Sequence, residues 1–142
     1  MNDLGIATSI TIDAPIEEVW NAITTPEMIK EWFFGVDTET DWKVGSTLVH
    51  RGEWQGKPYE DKGVILRIEP PRELVHTHWS DASGKPDAPE NYEEVTWELS
   101  GGEGATELTI TERNLPSEDA KAMSEQSWQT VLSNLKALLE RS

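Results

Sequence analysis

Hydrophobic residues recur along this chain at two spacings, and the change from one to the other divides it into elements. Over Pro116–Ser142 the spacing is helical. At about 100° per residue, Trp128, Leu132, Leu135, Leu139, Val131, Leu138 and Ala120 fall on one stripe, with Glu118, Lys121, Glu125, Gln129, Lys136 and Glu140 mostly off it. Ser117 stands where it can cap the start, and Glu118, Asp119 and Arg141 suit the two ends of the helix dipole. At ~1.5 Å per residue this helix spans roughly 37 Å, the width of a small domain. Leucines fill the C-terminal half of the stripe. Ala120, Ser124 and Ser127, with Met123 at the edge, give the other half a small and partly polar face. That face predicts either space for a ligand or a thin contact that serines tolerate.

Earlier in the chain the pattern begins with alternation at Ile6, Thr8, Ile10 and Ile12, which predicts a strand. Asp13-Ala14-Pro15 stops it and opens a helix with Ile16, Val19, Trp20 and Ile23 on one face. Thr24-Thr25-Pro26 breaks that helix, a second short one runs from Glu27 to Trp32, and Trp32-Phe33-Phe34 follows. From Thr47 the period is two. Leu48, His50, Gly52 and Trp54 share one face of Thr47–Trp54, and Val64, Leu66 and Ile68 alternate in Tyr59–Glu69. Pro70-Pro71 ends that strand, since neither proline can donate to a ladder. Glu73–Ser80, Tyr92–Ser100 and Ala105–Glu112 complete the strands, with Asp81–Asn91 as the longest loop and Gly101–Gly104 as a tight turn. Short loops between strands favour an antiparallel meander, and the whole predicts an α+β grip in which the sheet curls around the last helix.

Length and composition narrow the function classes. The 142 residues suit a single domain over 1–142 with a real core. No apolar run approaches the ~18 residues of a membrane span, and MNDLGIATSI lacks the form of a secretory signal. Without cysteine there is no disulfide framework, thiolate nucleophile or cysteine-based metal site, and a cytoplasmic location is expected. A net charge of −15, spread along the chain, argues against nucleic acid and anionic membranes as partners. Seven tryptophans against two phenylalanines and two tyrosines supply indoles for a core, a pocket or an interface.

The run Ile12-Asp13-Ala14-Pro15, Val19-Trp20-Asn21-Ala22-Ile23-Thr24, Pro26-Glu27 and Trp32 resembles the opening of the START-like (SRPBCC) helix-grip proteins. More narrowly it resembles the branch of activator of heat-shock-protein ATPase homologues. The resemblance continues at Val44-Gly45 and is strongest through Gly63–Pro71, Leu74-Val75 and Trp79. It ends with Thr106–Thr111 and the last helix. It implies a curved seven-stranded antiparallel sheet around the C-terminal helix, two short helices between strands 1 and 2, and a largely apolar cavity. Members are mostly binding modules for small molecules, a minority are enzymes, and the branch has no shared catalytic motif. Read as one domain, the chain is not expected to carry the separate N-terminal domain of eukaryotic activators, and it has His76 and His78 where relatives often carry aromatic residues.

His76 and His78, two apart on a strand, point to one face, which alternation with Leu74 and the resemblance make the concave one. His-x-His can chelate zinc, but no third ligand can be assigned, so neither cofactor nor stoichiometric metal is expected. His50 faces inward roughly 10 Å away, one strand intervening. Trp97 and Trp128 can meet across the gap between sheet and helix. Trp54, Trp32 and Phe33 would lie near an entrance, and Trp42 and Trp79, alternating outward, would mark a homodimer interface. Glu53, Glu93, Glu94, Asp61 and Arg51 form no recognised acid–base pair. No nucleophile elbow or phosphate-cradling loop is present.

These features point to binding of a small, mostly apolar molecule between the sheet and the final helix. Trp54, Leu66, Trp97 and Trp128 would supply area, and His50, His76, His78 and Ser124 orientation. Two other readings stay open: an enzyme using an inward histidine as general acid or base, and an interaction protein stimulating a chaperone ATPase.

Overall fold

A computed structural model describes residues 4–33, 35–80, 85–101, 104–115 and 117–140, with the side chain of Trp54 also outside the description. The strands are β1 (Gly5–Ile12), β2 (Asp37–Glu39), β3 (Thr47–Trp54), β4 (Lys57–Glu69), β5 (Glu73–Ser80), β6 (Glu93–Gly101) and β7 (Thr106–Arg113). The helices are α1 (Ile16–Thr24), α2 (Pro26–Trp32) and α3 (Glu118–Glu140), and one turn of 3-10 helix, Pro89–Asn91, precedes β6. All strands pair antiparallel in the order β1-β7-β6-β5-β4-β3-β2. This is the expected helix-grip architecture. No helix among the described residues is long and apolar enough to cross a membrane.

Local chemistry explains the helix boundaries. Thr25 precedes a proline, which disfavours helical backbone, and it sits extended at φ −114°, ψ 113°, so α1 and α2 stay separate. Ser117 Oγ accepts the Ala120 N–H at 3.1 Å and caps α3. The helix runs for 23 residues, so it extends roughly 34 Å. Its C-terminal half is clamped: Val131, Leu132 and Leu135 are buried, Lys136 Nζ donates to Thr11 O at 2.7 Å, and Glu140 accepts from the Asp13 N–H at 2.8 Å. None of its described residues before Val131 is fully buried, and Ser127, expected on the inner face, is exposed. Pro116, Phe34, the loop tip at 81–84, Gly102, Glu103 and Arg141 lie outside the described residues.

The core lies between the concave face of the sheet, α1, α2 and the last turns of α3. Ile12, Val19, Ile29, Ile65, Val95, Leu108, Ile110, Leu132 and Leu135 are among its fully buried side chains. Two expectations fail here for identifiable reasons. Alternation through Val64, Leu66 and Ile68 is broken by a β-bulge, because Ile65 pairs with His76 and Arg67 with Val75. Two residues of β4 thus span one step of β5. Ile65 is 0% exposed while Val64 and Leu66 are 38% and 45% exposed. Leu66 therefore lies on the outer face and cannot line an interior site. Trp42 takes left-handed backbone at φ 57° and packs against the core, so alternation did not apply to it. Trp79 stacks on Tyr92 at 6.3 Å, with Lys62 Nζ 5.6 Å from its ring. Both indoles are thus packed within the chain rather than standing free on the outer face.

β4 and β5 approach so closely at Gly63 that a Cβ there would lie 1.7 Å from Thr77 O. Backbone on both sides must move to admit it. Gly63→Ala is expected to destabilise the protein by at least ~1–3 kcal/mol, the cost of overpacking. Urea denaturation followed by tryptophan fluorescence checks this, and an unchanged midpoint would contradict the close approach.

Candidate functional site

Inward positions on six neighbouring strands form a polar row across one end of the concave face. The row runs Thr38 (β2), His50 (β3), Asp61 (β4), His78 (β5), Glu93 (β6) and Glu112 (β7). Register aligns most of it: Thr38 stands opposite His50, His50 opposite Asp61, and His78 opposite Glu93, while Asp61 stands opposite Ser80 and reaches His78, one inward step away, through their side chains. Glu112 stands opposite Val95, one inward step from Glu93. On β7 it follows Thr106, Leu108 and Ile110 on the buried side of the strand and is itself only 5% exposed. From α3, Trp128 Nε1 donates to Glu112 Oε1 at 3.1 Å, and Ser124 also hydrogen-bonds to this carboxyl.

His50, Asp61, His78 and Glu112 are each tuned by their surroundings. Burial, ahead of repulsion from His76 and His78, lowers the His50 pKa to about 3, and the neutral ring pairs with Thr38 Oγ1 at 2.9 Å. Burial also raises the Glu112 carboxyl above its ordinary range, against the bonds from Trp128 and Ser124. Around His78 burial by itself would disfavour charge. Hydrogen bonding to Asp61 and the nearness of Glu93 outweigh it and raise the pKa to about 10. Asp61 is pulled the opposite way, since the bonds and charge of His78 overcome its own burial and lower its pKa. His78 Nε2 meets Asp61 Oδ2 at 3.1 Å. Its Nδ1 is sealed from solvent and lies 3.9 Å from Glu93 Oε2, too far for a hydrogen bond.

Beside this row lies an apolar region. His76 is buried one inward step from His78, with Nδ1 2.9 Å from Thr77 O, and its Nε2 accepts the Trp97 indole N–H at 3.1 Å. A carbonyl only accepts and an indole N–H only donates, so this ring is the neutral Nδ1–H tautomer. Burial accordingly lowers its pKa to about 4. Both ring nitrogens of His76 are engaged, so His76 and His78 do not act as a chelating pair. Trp97 meets Trp32 edge-on at 6.0 Å and Trp128 at 5.3 Å, while Phe33 stacks on Trp32 at 5.5 Å and meets His50 at 5.4 Å. A void of about 30 Å3 lies among Trp32, Phe33, His50, His76 and Trp97, bordered also by Ile29, Trp42, Leu48 and Leu74. It has room for about two waters. Two larger concavities, about 600 and 490 Å3, are lined by charged surface residues such as Arg72 and Glu107, or Arg51 and Glu60.

The structure thus brings Trp32, Phe33, His50, His76 and Trp97 around the void, and His78, Ser124 and Trp128 around Glu112. Leu66 is outside both, and the side chain of Trp54 lies outside the described residues. Ala120, Ser124 and Ser127 do not line the void, which sits under α2 instead. Sequence reasoning missed Thr38 and Glu112 and found no acid–base pairing for Asp61 and Glu93. For Glu112 the signal was there: it extends the buried alternation of β7.

Two outcomes follow from these bonds. Trp97→Phe leaves His76 Nε2 buried without its donor and is expected to cost at least ~1–3 kcal/mol. Adding His76→Leu should cost less in that background than in the parent, with a coupling of roughly 1 kcal/mol or more by urea denaturation. Additive effects would show that the bond carries no stability. The His50 pKa is lower in the folded state than the ordinary 6.5. Its contribution to stability is therefore complete above pH 6.5 and is lost as pH falls toward 3. Denaturation midpoints between pH 6.5 and 4 should fall less steeply in His50→Gln, the difference reaching up to about 1.4 kcal/mol per pH unit.

Residues 13–140 match the family model described as Activator of Hsp90 ATPase homolog 1-like protein. The solution structure of ChR145 from Cytophaga hutchinsonii is 44% identical, covering 99% of this chain and 97% of that one, with a TM-score of 0.84. CalU16 from Micromonospora echinospora is 29% identical over 96% of this chain and 76% of that one, with a TM-score of 0.74. The fold recurs in the Aha1 dimer from Colwellia psychrerythraea, 24% identical over 97% of both chains, with a TM-score of 0.77. No curated protein matches the chain. The matched span covers nearly every described element, so the chain belongs to the family of Activator of Hsp90 ATPase homolog 1-like proteins within the helix-grip fold.

Proposed function

We propose that this protein binds a small, mostly apolar molecule carrying one polar group. The apolar part would sit among Trp32, Phe33, Leu48, Leu74 and Trp97, and the polar part would face the row at His50. The observation that carries this reading is the position of His50, whose ring borders the apolar void and also belongs to the polar row. Apolar walls with a few placed polar groups are the composition of small-molecule sites. The void of about 30 Å3 is far below the ~300–1,000 Å3 of such sites, so binding must displace wall side chains. Phe33, just past the end of α2, and Trp42, between strands, stand on connecting backbone and are the ones to move. The cytoplasm is the location this reading assumes.

Titration with the uncharged fluorophore N-phenyl-1-naphthylamine tests the proposal. Saturable binding of one probe per chain is expected, with quenching of the tryptophans. Leu48→Phe, which narrows the void, should weaken binding about tenfold, equivalent to ~1.4 kcal/mol. Ile29→Val, which widens it, should not. Absence of saturable binding, or equal affinity in both variants, would sink the reading. Stimulation of a chaperone ATPase by a protein that binds no probe would favour the interaction role instead.

A further inference from the structure

β5, β6 and β7 carry His78, Glu93 and Glu112 to one spot, where one ligand-type atom from each lies within 4.8 Å of the others. These are not surface acids. Glu112 is 5% exposed, and the side chains of Glu93 and Asp61 are 20% and 13% exposed. Three carboxylates therefore converge on a single imidazole, and the shielded Nδ1 of that imidazole makes no hydrogen bond. We propose that His78 Nδ1, Glu93 and Glu112 bind a divalent transition-metal ion, with Asp61 as a positioning residue.

Geometry and chemistry agree on this set. A metal-bound imidazole commonly gives its second ring N–H to a carboxylate, which fixes the ring, and Asp61 Oδ2 already holds His78 Nε2 at 3.1 Å. Ligand atoms ~2.0–2.2 Å from a tetrahedral ion lie roughly 3.3 Å apart, so the 3.9 Å between His78 Nδ1 and Glu93 Oε2 needs little contraction. Glu112 accepts from Trp128 and Ser124, and its two oxygens have further lone pairs to offer an ion. An imidazole with carboxylates suits Zn2+, Mn2+ or Fe2+ better than Ca2+ or Mg2+. A dication also compensates the excess of carboxylates, which the single imidazolium cannot. The ion would displace the His78 proton, since Nδ1 must offer its lone pair. This site differs from the His76–His78 pair that the sequence suggested: its ligands come from three strands, and His76 is not among them.

Metal-free protein titrated with Co2+, followed by visible absorption, and with Zn2+, followed by calorimetry, tests the proposal. One ion per chain is expected, with protons released and a rise in the thermal midpoint. Glu112→Gln and His78→Gln should each weaken binding by at least about tenfold, and Asp61→Asn by about 10–100-fold. Glu53→Gln, on an exposed strand position, should change nothing. Because buried-row variants can lose stability, imidazole 15N shifts of the parent protein give a second readout. Zn2+ should move His78 and leave His50 and His76 nearly in place. No saturable binding to the parent, full binding in both Glu112→Gln and His78→Gln, or a shift at His50 or His76 in place of His78 would overturn the assignment.

Discussion

The hydrogen bond from the Trp97 indole to His76 fixes the interior of this protein. It sets the plane of the largest ring in the middle of the sheet, and that ring then meets Trp32 on α2 and Trp128 on α3 edge-on. Edge-to-face contacts reward one relative orientation over others, so the indole ties two helices to one position on β6. The same bond holds His76 in one neutral tautomer. A charged imidazolium there would repel the N–H and carry an unsolvated charge into the core.

From Trp97 outward, the concave face divides into two environments. Toward α1, α2 and the end of α3 the side chains are aliphatic and aromatic, and close packing leaves a void of only about 30 Å3. Toward the start of α3 lies a row of carboxylates, histidines and a threonine, where pKa values are driven in opposite directions within a few ångströms. Buried ionisable groups of this kind are costly to hold and are concentrated where proteins do chemistry or binding. Here they are also where the covering helix is least tightly held, since the fully buried residues of α3 begin at Val131.

Much of the fold was legible because it rests on periodicity. The long stripe of α3 and the alternation of β1, β3, β5, β6 and β7 follow directly from burying one face of each element. β2, three residues long, is too short to show a period and was implied only through the family resemblance. The bulge in β4 was hidden for a different reason: one extra residue shifts the inward set without disturbing the alternation of the letters, so Leu66 reads as interior and is not. The histidines could be placed on the right face, yet their partners could not. Asp61, His78, Glu93 and Glu112 lie on four strands, and only the strand register brings them together. Had Glu112 been read as the next inward step after Leu108 and Ile110, a buried carboxylate would have been evident from the sequence.

The pairing of β1 with β7 has a consequence for how the chain acquires its structure. Ser9 and Thr109 bond across the two strands although 100 residues separate them. A chain emerging from its N-terminus therefore presents the apolar positions of β1 long before their partners exist. The sheet from β2 to β7 can grow hairpin by hairpin from local contacts. Its last edge and the clamp of α3 on Thr11 and Asp13 are long-range closures that come late, at a substantial entropy cost. Until then Ile6, Ile10 and Ile12 form an uncovered strand edge, the kind of segment that seeks another chain. The alternating Ala7, Ser9 and Thr11 on the other face keep that waiting strand half polar.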